Sequence, residues 1–136
     1  MDCLFCKIVS GEIPSTKVLE NEHVLGIMDI QPMNRGHLLV IPKKHAANIL
    51  EIDEEGYRAV AGTIHRLARA VEKALNPDGM NVLQLNGAAA NQEVMHLHMH
   101  LVPRWEGDGL TVSQWNPEPG DMAAIKETAD RIRAKL

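Results

Sequence analysis

The chain contains 136 residues, with 14 Lys or Arg against 18 Asp or Glu, a formal net charge of −4 and 45% hydrophobic residues. A chain of this length buries roughly 65–70% of its surface on folding, so we expect one globular domain, residues 1–136, that needs no disulfide bonds. The negative charge and the lack of a long basic run argue against a nucleic-acid partner bound through its phosphates.

Histidine is unusually frequent for a chain so poor in aromatic residues. There are seven His, against two Trp, one Tyr and one Phe. We therefore expect an aliphatic, Met-filled core and a separate explanation for the histidines. No apolar run approaches the ~18 residues that a membrane-spanning helix needs, so the chain is interpreted as a cytoplasmic protein with no membrane partner.

The first third of the chain carries a cysteine pair and three strand signals. Cys3 and Cys6 form a Cys-x-x-Cys pair, which in a reducing compartment points to metal or redox chemistry more than to a structural disulfide bond. Apolar runs predict strands at 17–20, 24–29 and 36–41, the first two forming a hairpin.

The middle of the chain predicts a long helix. Apolar residues recur every three or four positions from Asp53 to Leu75, and Asp53 is a suitable N-cap. The sequence Asn-Pro-Asp-Gly at 76–79 then stops the helix.

Two further strands and a final helix are predicted after that stop. The strands span 80–86 and 94–103, with a loop of small residues between them, and the helix follows Asp121. Its inward-facing residues are expected to be Met122, Ile125, Ala129 and Ile132. This order of elements favours an α+β fold with helices on one face of a sheet.

Residues 96–102 read His-Leu-His-Met-His-Leu-Val. In a strand, His96, His98 and His100 share one face, and the apolar residues occupy the other. The outer two Cα atoms would be ~13 Å apart, too far for all three rings to bind one metal ion. A row of neutral imidazoles suits nucleophilic or general-base chemistry at phosphorus. The remote His23 and His65 are interpreted as ordinary surface residues.

This segment resembles the signature of the histidine triad (HIT) family of nucleotide-binding hydrolases and transferases, His-φ-His-φ-His-φ-φ with φ apolar, at every position. Residues 3–8, 29–32, 36–45 and 86–104 also look like family segments in family order. The resemblance covers residues 1–104 and leaves the tail, 105–136, less diagnostic. It implies a HIT-like fold: a mainly antiparallel five-stranded sheet, one long central helix, a C-terminal helix, and a homodimer.

The resemblance also implies a reaction. The middle histidine of the family attacks the α-phosphorus of a nucleotide, so His98 would form a covalent nucleotidyl-histidine that water hydrolyses. His100 would contact the phosphate or the leaving group. The expected activity is cleavage of a purine nucleoside 5′-monophosphate, AMP above all, from an amine or phosphate. Two alternatives stay open: a dinucleoside polyphosphate hydrolase, and a non-enzymatic, zinc-stabilised nucleotide-binding module.

Further substrate contacts are implied by the same resemblance. Asn86 and Gln92 would hold phosphate oxygens, Asp29 would accept from the ribose hydroxyls, and His37 would support the triad. The apolar slot for the base would consist of Phe5, Ile8, Ile27 and Ile30. Taken singly, the apolar residues and His37 are equally typical of a core, and Asn86 of a turn.

Relatives with the N-terminal cysteine pair imply one structural Zn²⁺ per chain. Its ligands would be Cys3, Cys6, His45 and His96, a closed tetrahedral set with no position for substrate. The alternative is a pair of free thiols. One departure bears on specificity: Glu93 stands where many relatives have a small hydroxyl residue near the leaving group.

Overall fold

The structure, a computed structural model, describes residues 2–112 and 117–136. Its elements are α1 (Leu4–Val9), β1 (Lys17–Glu20), β2 (Val24–Met28), β3 (Leu38–Pro42), α2 (Glu54–Leu75), β4 (Gly79–Gln84), β5 (Met99–Arg104) and α3 (Met122–Arg133). The strands form one antiparallel sheet in the order β1-β2-β3-β5-β4. The expected α+β architecture, with five antiparallel strands, a long central helix and a C-terminal helix, is confirmed.

Helix α2 begins and ends where its sequence dictates. The side chain of Asp53 accepts a hydrogen bond from the backbone N–H of Gly56 at 2.6 Å, satisfying an orphan donor of the first turn. Asn76 ends the helix in the left-handed conformation at φ 49°. Among residues 2–112 and 117–136, no helix combines the length and the apolar character needed to cross a bilayer.

The sheet buries both faces because β2 and β3 are apolar at nearly every position. One face, here called the α2 face, carries Met28, Leu38, Val40, Met99 and Leu101 against α2 and α3. The opposite face, the α1 face, carries Leu25, Ile27, Leu39 and Ile41 against Phe5 and Ile8 of α1. The alternation of strand side chains thus puts His100 of β5 on the α1 face.

The expectation that helices cover one face only is wrong. Helix α1 packs on the face opposite α2 and α3. It has only six residues, too few for a helical period to show in the sequence. Phe5 and Ile8 are three positions apart, so they share one side of the short helix and bury it on the sheet.

The bounds of three strands and one burial prediction are also wrong. Strand β3 covers Leu38–Pro42, where 36–41 was predicted. Strand β5 begins at Met99, not at residue 94, because Leu97 donates its N–H to the carbonyl of Ala46 in a loop and not to a neighbouring strand. Strand β4 covers 79–84, where 80–86 was predicted. Met122 is 43% exposed in the first turn of α3. The remaining predicted core residues of this helix, Ile125, Ala129 and Ile132, are buried.

Candidate functional site

The histidine row lies on the α1 face at the start of β5. His100 pairs with Leu39 of β3 and Leu83 of β4, and the ring centroids of His98 and His100 are 4.9 Å apart. All three rings of the row are buried. Although His96 and His98 precede the strand proper, the extended chain keeps the three side chains in one row. His23 and His65 are exposed and remote, as interpreted.

His98 is held in one tautomer by its neighbours. Its Nδ1 lies 2.8 Å from the carbonyl oxygen of His96, and because a carbonyl can only accept, Nδ1 carries the proton. The ring nitrogen Nε2 therefore keeps a lone pair. Phe5 packs edge-on against the ring at 4.9 Å between centroids. Burial lowers the pKa of His98, against opposing effects of the His96 carbonyl and of Asp29, so the imidazole is neutral and nucleophilic at pH 7.

His100 belongs to a buried chain of hydrogen bonds. The backbone N–H of Met33 donates to Nδ1 of His37 at 2.9 Å, so the proton of His37 sits on Nε2. That Nε2 lies 2.9 Å from Nδ1 of His100 and donates to it, which leaves the proton of His100 on its own Nε2. Burial lowers the pKa of His37 to about 4 and that of His100 to about 3.

A cavity of about 410 Å³ opens above this row, within the range of small-molecule sites. The sequence-predicted residues that line it are Phe5, Ile8, Ile27, Asp29, Ile30, His98 and His100. Ile30 is 56% exposed at the rim, where an apolar ligand could cover it. His37, Asn86 and Gln92 do not belong to the lining.

Asp29 stands at the end of β2 with its side chain largely buried. One oxygen accepts from the backbone N–H of Gln31 at 2.8 Å, and the other lies 3.5 Å from Nε2 of His37. Burial raises the pKa of this carboxyl group, partly offset by the Gln31 hydrogen bond and by His98. The carboxylate faces the same cavity as the His98 ring.

Gln92 and Asn86 are engaged with the polypeptide in this structure. Gln92 is buried, donates through Nε2 to the carbonyls of Ala47 and Val94, and accepts from the N–H of Gly87. Asn86 accepts from the N–H of Ile49 and exchanges two hydrogen bonds with Gln84. The contacts of Gln92 and Asn86 with phosphate therefore stay predictions, and both side chains shape the loop beside the cavity.

Sequence reasoning missed several residues of the cavity wall. Leu39 and Leu83 flank His100 on neighbouring strands, and their place follows only from the strand order. Val112 and Pro117 come from the tail, which carries no motif. Glu93, which replaces the small hydroxyl residue of many relatives, also lines the cavity. Its position just before the histidine row is the signal that could have found it.

The four residues of the expected metal set meet at the N-terminal turn of α1. The Cys3 Sγ and His96 Nδ1 atoms are 3.4 Å apart, Cys6 Sγ and His45 Nδ1 are 3.4 Å apart, and the two Nδ1 atoms are separated by 3.1 Å. All four ligand atoms lie within 4.8 Å of one another. A tetrahedral Zn²⁺ separates its S and N ligands by about 3.6 Å and two N ligands by about 3.4 Å.

The orientation of His96 also fits a metal. Its Nε2 lies 2.8 Å from the carbonyl of Pro42 and must donate to it, so Nδ1 turns a lone pair toward the cysteines. The side chain of Cys3 accepts from the N–H of Cys6, which fixes the first turn of α1 around the pair. Two thiols and two imidazoles could thus hold one ion with every position filled.

Known proteins resemble this chain over nearly its whole length. The HIT domain family matches residues 10–107. The adenosine 5′-monophosphoramidase hnt1 of Schizosaccharomyces pombe is 41% identical over 137 residues, covering 100% of this chain and 99% of the relative. The adenylylsulfatase HINT3 of Arabidopsis thaliana is 40% identical over 113 residues, covering 83% of this chain and 57% of the relative.

A solved structure supports the same grouping. The Zn-bound histidine triad family protein of Mycobacterium smegmatis superimposes with a TM-score of 0.87 at 40% identity, covering 99% of this chain and 93% of the other. The sequence match, the shared fold and the buried histidine row all point to the same family. The chain therefore belongs to the HIT domain family and is a hydrolase of that family.

Proposed function

We propose that this enzyme cleaves adenosine 5′-phosphoramidates, releasing AMP and an amine, through a covalent adenylyl intermediate on His98. The observation that carries the proposal is the neutral His98 ring, whose Nδ1–H is bound to the His96 carbonyl and whose Nε2 lone pair is left for attack beside a 410 Å³ cavity. The name of the fission-yeast relative supports an amine as the leaving group.

The chemical steps balance around one water molecule. Nε2 of His98 attacks the α-phosphorus, the new N–P bond forms as the P–N bond to the amine breaks, and the amine departs with a proton taken up from solvent. Water then attacks the same phosphorus, the His98–phosphorus bond breaks, and the proton lost by water restores the balance. The Nε2–H of His100 is assigned to donate to the phosphate or the leaving nitrogen, where charge grows in the transition state.

The rest of the cavity fits the nucleoside. The Asp29 carboxylate is assigned to the ribose hydroxyls, because it is the acceptor held at the end of β2 beside the row. The base slot is assigned to four apolar residues, Phe5, Ile8, Ile27 and Ile30. His37 acts through His100, and Asn86 with Gln92 supports the phosphate-side loop.

The test compares His98→Ala with His65→Ala, a matched change at an exposed histidine of α2. With adenosine phosphoramidate as substrate, His98→Ala should lose at least about a thousandfold in turnover, and His65→Ala should keep it. Rapid quench of the wild type into alkaline denaturant, which preserves the acid-labile N–P bond, should trap an AMP adduct on His98, visible by mass spectrometry. Equal turnover in both variants would overturn the proposal, and bound nucleotide without an adduct or turnover would favour the binding module.

The Cys3, Cys6, His45 and His96 cluster is proposed to hold one structural Zn²⁺. The ligand spacing and the Pro42 hydrogen bond support it, as does the Zn-bound relative. When bound, the ion supplies a cross-link between α1 and the histidine row. Metal analysis of purified protein should find about one equivalent, and less than about a tenth would contradict the proposal.

A homodimer in the cytoplasm completes the proposal. Strand β4 is an edge of the sheet with Val82 50% exposed, a surface that pairing with a second chain would cover. Metal-binding thiols stay reduced in the cytoplasm, which fits the two free cysteines. Sedimentation should give twice the chain mass, and a monomer at all concentrations would contradict the dimer.

A further inference from the structure

The cavity is poor in positive charge for a site that receives a phosphate. Among its described lining residues the charged side chains are Asp29 and Glu93, both acidic, and no Lys or Arg is present. An α-phosphate thus enters a site whose charged described side chains are both acidic and do not offset additional anions.

Glu93 is held at the wall by the backbone on both sides of it. The buried amide of Gln92 donates to the carbonyl of Val94 and accepts from the N–H of Gly87, so the segment around Glu93 is anchored to the loop beyond β4. No Lys or Arg among residues 2–112 and 117–136 forms a salt bridge with Glu93. Glu93 is exposed and belongs to the lining of the cavity, where a ligand could meet it.

The strand order puts Glu93 on the leaving-group side. Asp29 follows β2, His98 directly precedes β5, and Gly87, to which the Glu93 segment is anchored, follows β4. Across the sheet, the histidine row therefore lies between Asp29 and Glu93. If the ribose is at Asp29 and the phosphorus at His98, the group that departs extends toward Glu93.

We propose that Glu93 selects the leaving group by its charge, favouring phosphoramidates of cationic amines and rejecting anionic leaving groups such as sulfate or polyphosphate. This inference rests on the proposed function and names the substrate class of the same site. The cleaved bond is the P–N bond, and the amine leaves with one added proton beside the carboxylate. A unit charge on the leaving group, several ångströms from a carboxylate, interacts with it strongly enough to change the cleavage rate about tenfold. Salt screens this interaction and weakens the effect.

The test uses three adenosine phosphoramidates of equal chain length, carrying aminoethyl, propyl or carboxyethyl on nitrogen, so that the leaving group is cationic, neutral or anionic. The readout is the ratio of kcat/KM for the cationic and anionic substrates, which cancels a general loss of activity. The wild type should show a ratio of about ten or more. Glu93→Gln should bring the ratio toward one, and Glu55→Gln, an exposed glutamate on α2, should keep it.

Each outcome decides between the two proposals. Charge selection is overturned if the kcat/KM ratio is equal in wild type and Glu93→Gln, or if the wild type shows no preference for the cationic substrate. In either case, turnover of the propyl substrate through His98 leaves the proposed function standing. No turnover of any of the three overturns the proposed function, and charge selection with it. Adenosine 5′-phosphosulfate adds a check with a different anionic leaving group: Glu93→Gln should raise its rate relative to the propyl substrate, and no rise would count against Glu93.

Discussion

Nε2 of His37 and Nδ1 of His100 lie 2.9 Å apart, with both rings buried below the cavity. The Met33 N–H fixes the tautomer of His37, and His37 fixes that of His100. Because each ring is constrained by the one before it, the direction of the Nε2–H bond of His100 is set by a residue that does not line the cavity. We therefore expect His37 to act as a positioning residue.

Removing the His37 donor should therefore slow the reaction. His37→Leu leaves Nδ1 of His100 without this partner, a loss of about 1–3 kcal/mol, which corresponds to about 5- to 150-fold in kcat with a smaller change in KM. His37→Gln carries an amide N–H near the position of Nε2 and should recover part of kcat. Equal kcat in wild type and His37→Leu, with both folded by circular dichroism, would contradict this role.

The same pair predicts a pH dependence of stability. The folded pKa values of about 4 for His37 and about 3 for His100 lie below the unfolded value of about 6.5. The unfolded chain then binds more protons, so stability is complete above pH 6.5 and falls as pH drops toward 4, by about 1.4 kcal/mol per pH unit for each histidine. Asp29 and His98 are the titratable neighbours of the pair.

Urea unfolding between pH 7 and pH 4.5 measures this slope. His37→Gln removes one of the two histidines and should flatten it, and the difference from wild type separates the effect from acid release of a metal. A wild-type unfolding free energy that is constant from pH 7 to pH 4.5 would contradict the burial of neutral rings.

Sequence patterns predicted the elements whose partners are local. Asp53 and Asn76 delimit α2 because capping depends on a few adjacent residues. The predicted start of β5 is wrong because residues 94–98 alternate like a strand in sequence. In the structure, the N–H of Leu97 instead donates a hydrogen bond to Ala46, which lies 51 residues away in the chain. Which backbone group a residue bonds to depends on the tertiary structure, and the periodicity of apolar residues does not predict it.

The candidate site divides in the same way. The histidine row is contiguous in sequence and was recognisable at once. Cys3 and His96 are 93 residues apart, and only the resemblance to a family joined them before the structure did. Leu39 and Leu83 enter the cavity wall because β5 lies between β3 and β4, an order that follows from packing the whole sheet and not from either strand alone.

Chelation of the proposed Zn²⁺ should lower stability without unfolding the chain. The cluster lies on the α1 face, whereas the large aliphatic core lies on the α2 face and does not depend on the ligands. We expect a strong chelator to lower Tm and to expose α1 to proteolysis, while the far-ultraviolet circular dichroism of α2 persists. His45→Ala should match the chelated wild type and respond no further to chelator. Complete unfolding on chelation would contradict the expectation that the core on the α2 face is stable without the metal ligands on the α1 face.

Gly36, directly before His37, should tolerate no side chain. Its φ of +83° disfavours other residues, and an added Cβ would come within 2.6 Å of Leu75 Cδ1 and 3.0 Å of Pro103 Cγ. Leu75 can shift but the Pro103 ring cannot, so Gly36→Ala should lower the free energy of unfolding by about 1–3 kcal/mol. Gly62→Ala at an exposed position of α2, where nothing lies within 4 Å of the added atom, should instead raise the free energy of unfolding by about 0.5–1 kcal/mol. Urea unfolding of both variants measures the two signs, and a stabilised Gly36→Ala would show that the turn before His37 is not constrained as described.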